Sequence, residues 1–234
     1  MLVQAGYPLE PNILRKFEDK LGEPRGILFE GGKYVDYTGF NPVIASATDF
    51  NSTPDGKEPT YANAGWFPEI PVTLNRTLAF DGSTNDWQIS RLTGQYSHTT
   101  QTQRLYNHLS YTLYFLRPTN DTAAINDVEP PSLQAIQTAT VPGGVQVTLS
   151  ANDLAGVYRV IATWTDGKGT WQSTELSSTD GQNWAGVIPT SNAIVFMLQA
   201  VDNVGNVAVD TNQGLYYSAQ PGSASKTYLP IVQR

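Results

Sequence analysis

Apolar and polar residues alternate along much of this chain with a period of two, the spacing that sends one face of a strand into a core and the other toward solvent. The clearest run is Arg104–Leu116. Leu105, Leu109, Tyr111, Leu113 and Phe115 fall on one face, and Tyr106, His108, Ser110 and Thr112 on the other. Further strands are predicted over Pro42–Phe50, Val72–Phe80 and Trp87–Tyr96, while Gly26–Glu30 and Lys33–Tyr37 flank Gly31-Gly32 and read as a hairpin. One stretch has helical spacing instead. Ile13, Leu14, Phe17 and Leu21 lie between Pro11, suited to a first helical turn, and Gly22, suited to a C-terminal cap, and predict a short helix.

From Ser132 to Ser218 the pattern predicts seven short strands. Val145, Val147 and Leu149 point inward on the second, and Tyr158, Val160, Ala162 and Trp164 on the third. The turn Asp166-Gly167-Lys168-Gly169 leads to Trp171–Leu176, and Asp180-Gly181 leads to a strand with Trp184 and Ile188. Ile194, Phe196, Leu198 and Ala200 mark the sixth strand, Val207 and Val209 the seventh. Seven strands with regular turns in a span of this size predict an immunoglobulin-like sandwich. The expected class is all-β. A β-sandwich-like domain with one short helix occupies 1–117, a polar, proline-broken linker 118–131 and the sandwich 132–218. A flexible tail over 219–234 ends in an apolar motif.

Composition narrows the function classes. Charged residues make up only 15%, there is no cysteine, and the net charge is −7. Missing cysteine removes disulfides, thiolate metal sites and a thiol nucleophile together. With no basic cluster, nucleic acid and anionic membranes are poor partners. No apolar run reaches the roughly 20 residues of a membrane span. Met1–Pro8 has neither the basic nor the apolar region of a signal peptide, so the protein is either cytoplasmic or a fragment whose exporting segment lies upstream, and the resemblances given below favour the fragment.

Candidate chemistry is sparse. The two histidines, His98 and His108, lie in a Thr-rich turn and on a polar strand face, and no Gly-x-Ser-x-Gly motif accompanies them. No carboxylate pair is singled out by spacing, so the expectation is that the chain is not an enzyme. In a sandwich of the expected kind, Asp127 and Glu129 at the entry, Asp153 in one loop and Asp202 in another meet at one pole, with Asn126, Asn152 and Asn203 adding carbonyl oxygens. Calcium takes six to eight oxygens at about 2.3–2.6 Å, which such loops supply. The plainer role for each Asp is to cap its own turn. No other cofactor is expected. Tyr61, Trp66 and Phe67, in a proline-rich loop, are the aromatics placed for sugar stacking; most of the others have the alternation of core residues. At the end of the tail, Tyr228, Leu229, Pro230, Ile231 and Val232 form an apolar cluster suited to sorting or to docking on a sheet edge.

Three resemblances follow from particular segments. Asp127–Pro131, Asn152-Asp153-Leu154-Ala155-Gly156-Val157 and Gln199–Asn206 together resemble bacterial immunoglobulin-like repeats of secreted proteins, which implies adhesion, spacing or presentation. Arg25–Phe40, with Trp66, Gln95-Tyr96 and Arg104-Leu105-Tyr106, is similar to the region after the catalytic domain of gingipain-like cysteine peptidases. That family's catalytic Cys has no counterpart here. Tyr228–Arg234 resembles a C-terminal ending of exported proteins of green non-sulfur bacteria, although Leu229-Pro230 is not followed by the Thr-Gly of a sortase signal. The expected function is a non-catalytic, extracellular accessory or structural module at the cell surface. Its expected partner is a protein or an upstream domain of the same polypeptide, with surface glycans as a further candidate. A carbohydrate-binding module and a self-assembling surface-layer or filament subunit are the alternatives.

Overall fold

A computed structural model describes residues 5–16, 22–45, 64–78, 85–117, 126–222 and 226–228. The protein is all-β, built from antiparallel sheets in a sandwich-like arrangement, and no helix occurs among the described residues. Its residues form two compact units. The first comprises Met1–Phe17, Lys33–Leu109 and Gln213–Leu215; the second comprises Glu18–Gly32, Ser110–Asn212 and Tyr216–Arg234. The expected division at residue 117 is therefore not the observed one. Strands β2 (Pro24–Thr38) and β7 (Thr102–Phe115) each contribute to both units, because strand pairing joins segments regardless of their order in the chain.

In the first unit, β1 (Asn12–Lys16), β5 (Asn85–Leu92) and β4 (Val72–Leu78) form a three-stranded antiparallel sheet with β5 central. The expected helix is absent: Asn12–Lys16 is an edge strand, and Phe17 and Leu21 lie outside the described residues. A short helix needs a buried apolar face. Ile13 and Leu14 are 49% and 56% exposed, so backbone pairing with β5 prevails over a weak periodicity. Pro42–Ala45 carries only an isolated bridge from Ile44 to Pro8 where a strand was expected, and the rest of that stretch, like Tyr61, is outside the described residues. The unit's other ladder runs from β7 through β6 (Gly94–Ser97) to β3 (Trp66–Phe67). Arg104 is buried there. It makes a bidentate pair with Asp36 (2.8 and 2.9 Å) and lies between the rings of Tyr34 and Trp66, 3.8 and 4.2 Å from their centroids.

The second unit has three layers. β12 (Asn183–Pro189), β9 (Gly144–Asn152), β8 (Ser132–Val141) and β16 (Lys226–Thr227) form the first. β11 (Thr170–Leu176), β10 (Val157–Thr165) and β13 (Ile194–Asp202) form the second, with β14 (Val207–Asp210) and β15 (Tyr217–Ala219) both on the far edge of β13. The division of β8, β9 and β12 from β10, β11, β13 and β14 is the immunoglobulin-like arrangement. Between these sheets lies the main core, including Val147, Leu149, Val160, Trp164, Trp184 and Phe196.

The third layer was not expected. β11 is hydrogen-bonded to β2, and β2 to β7, and residues of these two strands cover the outer face of β10 and β13. Leu28 and Tyr114 pack there on Ile161 and Val201. Gly31-Gly32 is accordingly not a hairpin turn but part of one 15-residue strand. Gly31 has φ 147°, and a Cβ on it would lie 2.5 Å from the Trp171 carbonyl oxygen, so a close backbone approach requires glycine there.

One buried side chain fixes this layer. The Gln199 amide accepts from the Phe29 N–H at 2.9 Å and donates to the Phe29 carbonyl at 2.7 Å, so it pairs with β2 as a strand would. Its nitrogen also donates to Thr163 Oγ1 at 2.8 Å, and that hydroxyl lies 2.9 Å from the same carbonyl as a donor. Gln199→Met is expected to remove the bonds to the Phe29 N–H and carbonyl and to destabilise the second unit by about 2–4 kcal/mol, read from the denaturant midpoint.

Glu10, in the first unit, is 1% exposed and accepts from Gln103 Nε2 at 3.2 Å. Gly94 makes the space: a Cβ there would meet the Glu10 carboxylate at 2.5 Å. Burial pushes the carboxyl from 4.5 up to about 7, against the Gln103 hydrogen bond. A raised carboxyl means that the folded state holds a proton the unfolded chain releases. Its stability is therefore greatest below about pH 4.5 and falls as pH rises through about 7. Glu10→Gln is expected to abolish that fall, measured by thermal melts of both proteins across this range.

Candidate metal centre

Three segments of the second unit meet at one pole of the sandwich. The first is the chain leading into β8. There Asp127 Oδ1 accepts from the Glu129 N–H at 3.0 Å, a local turn of the kind Asp favours. The second is the β9–β10 loop, where Asp153 Oδ1 accepts from the Ala155 N–H at 2.7 Å. The third is the β13–β14 loop. Asp202 Oδ1 takes the N–H groups of Val204, Gly205 and Asn206 at 2.9, 2.6 and 2.8 Å, and Oδ2 takes Asn206 Nδ2 at 2.6 Å.

The loops are laced to one another. Asn203 donates its N–H to the Gly156 carbonyl at 2.9 Å and its amide to the Ala155 carbonyl at 2.7 Å. Asn206 Nδ2 reaches the Asp127 and Glu129 carbonyls at 3.2 and 3.3 Å, and Arg25 Nη1 donates to the Asp127 carbonyl at 3.2 Å.

This bracing brings one carboxylate oxygen each from Asp127, Asp153 and Asp202 within 4.8 Å of one another. Oxygens bound to one calcium at about 2.3–2.6 Å are at most about 5.2 Å apart, so the three carboxylates are grouped on the scale of one ion's coordination shell. Asp127 is 7% exposed, and its Oδ2 is buried with no hydrogen-bond partner. Burial, with the charges of Asp127 and Asp202, pushes the Asp153 carboxyl up to about 6, while the Ala155 N–H pulls the other way. A cation would relieve this repulsion and engage the orphaned oxygen. An all-oxygen, acidic donor set suits calcium or magnesium rather than zinc or copper.

Of the four expected ligands, Asp127, Asp153 and Asp202 are brought together, and the exposed Glu129 contributes its backbone but is not in the group. The sequence reading missed Asn206 and Arg25, which organise the cluster; the run Asp202-Asn203-Val204-Gly205-Asn206 was the signal for the first. The aromatic trio is placed differently. Phe67 is buried against Tyr7 with ring centroids 4.2 Å apart, Trp66 is half-buried over Arg104, and Tyr61 is outside the described residues. In the tail, β16 adds to the β8 edge and Tyr228 follows, donating its N–H to the Ile136 carbonyl at 2.8 Å. Its ring centroid is 4.8 Å from that of Tyr217. Leu229, Pro230, Ile231 and Val232 are outside the described residues. His98 follows β6 beside Tyr96, and His108 is exposed on β7.

No family model matches the chain, and no curated protein does. Among solved structures it is weakly similar to one described as the complex of Porphyromonas gingivalis RgpB pro- and mature domains. Identity is 18% and the TM-score 0.36, over 47% of this chain and 60% of that one. Among the described residues, no helix is long and apolar enough to cross a membrane.

Asn206→Ala is expected to loosen the segment leading into β8 from the β13–β14 loop. Unfolding in chelator should show a loss of about 2 kcal/mol or more, because buried carbonyl and carboxylate oxygens lose their shared donor.

Proposed function

We propose that this chain is a non-catalytic, extracellular accessory module whose immunoglobulin-like sandwich is stiffened by calcium while it spaces or presents a partner at a cell surface. The observation that carries the reading is the Asp127–Asp153–Asp202 cluster with its orphaned, buried Asp127 Oδ2. A bound ion would join the segment leading into β8 to two loops that are far apart in sequence. The ends of the sandwich would then resist opening under load. Extracellular calcium modules bind in the range of about 0.1–1 mM, where the ion is always at hand outside a cell. The partner is a protein, or a further domain of the same polypeptide.

Calcium at about 10 mM should stabilise the second unit by roughly 1.4–2.7 kcal/mol over chelator, if its affinity lies in that range. Thermal melts with calcium and with EDTA measure this directly. Asp127→Asn should erase the difference. A melting temperature that ignores calcium in the wild-type protein would sink the proposal.

A further inference from the structure

We infer that a cleft in the first unit, separate in sequence from the acidic cluster, binds a neutral pyranoside. It measures about 340 Å³, within the range of small-ligand sites.

One wall is the β1–β5–β4 sheet. Ser90 on β5 is paired directly with Thr73 on β4, and side chains two residues apart share a face, so Asn12, Ser90, Thr73 and Asn75 lie on one face of the three strands, with Leu92 opposite Asn12 on that face. The polar groups are partly self-bonded: Ser90 Oγ donates to Asn12 Oδ1 at 2.7 Å, and Asn75 Nδ2 to Thr73 Oγ1 at 3.3 Å. These bonds leave the Asn12 amide hydrogens, the Thr73 hydroxyl hydrogen and the Asn75 carbonyl oxygen for a ligand. The half-buried Tyr7, backed by the buried Phe67, also lines the cleft and gives it an apolar side.

The ligand's chemistry follows from this pairing. A wholly apolar guest would strand the Asn and Thr groups without partners. An anion finds no Lys, Arg or His among the described residues of the lining, which hold instead the carboxylate of Glu69. A molecule with hydroxyls on its rim and C–H groups on its face matches both walls, and that is a sugar ring. Trp66, the aromatic the sequence favoured for stacking, is not in the lining.

The test uses the full chain and saturation-transfer NMR with methyl β-D-glucopyranoside, methyl β-D-galactopyranoside and methyl α-D-mannopyranoside. Butylammonium and inorganic phosphate serve as competing chemistries. At least one glycoside should bind saturably in the millimolar range. Thr73→Val and Asn75→Ala, substitutions on a half-buried and an exposed strand position, should each weaken it up to about tenfold. Asp127→Asn, which tests the calcium site, should leave it unchanged. No saturable signal from any glycoside would overturn the inference. So would binding that neither substitution weakens, or a stronger response to butylammonium or phosphate.

Discussion

The second unit depends on β10 and β13 being buried on both faces. Val160, Ala162, Phe196 and Leu198 face the sandwich core, while Ile161, Thr163, Gln199 and Val201 alternate with them toward the third layer, and all eight are essentially inaccessible. An immunoglobulin-like sandwich normally leaves its outer faces to solvent, where polar residues belong. Here apolar burial drives the cover on. A sliding strand would still bury apolar surface, so burial alone does not set its register. The Gln199 amide does, because its acceptor and donor match the N–H and carbonyl of one residue of β2, Phe29. The low dielectric that strengthens those bonds is also what makes their loss costly.

At the pole of the same unit, polar groups perform the corresponding task. Loops bury little apolar surface, so their shape rests on hydrogen bonds accepted by Asp202 and donated by Asn203 and Asn206. The Asp202 carboxylate that accepts the Gly205 N–H lies close to those of Asp127 and Asp153. A cation placed among three acidic groups so close together would draw the three segments together. The backbone groups spent on Asp202 hold its carboxylate in place, which is the preorganisation a metal site needs.

The first unit solves a different problem with few apolar residues. Its central cation, Arg104, is compensated by Asp36 and enclosed by Tyr34 and Trp66. Such an arrangement uses aromatic faces as electrostatic partners as well as for burial. It also takes one ring face of Trp66 out of reach of any ligand, while polar groups on the neighbouring three-stranded sheet stay open to solvent.

The sequence by itself determined the strands and the sandwich, because a period of two and Gly/Asp turns act locally. All seven strands expected over 132–218 are present, and Trp164 and Trp184 are in the core as their alternation required. It also brought Asp127, Asp153 and Asp202 to one pole, since the topology of such a sandwich fixes which loops are neighbours. Only the tertiary structure decided the rest. Gly31-Gly32 resembles a turn locally, yet it serves a close approach to Trp171 across 140 residues of chain. Ile13 and Leu14 have helical spacing, yet pairing with β5 outweighs it. The continuous apolar run of β13 signalled burial on both faces, but not that residues 24–32 and 110–115 supply the cover. Pairing between distant segments is settled by burial and backbone hydrogen bonding summed over the fold, a quantity that no local window contains.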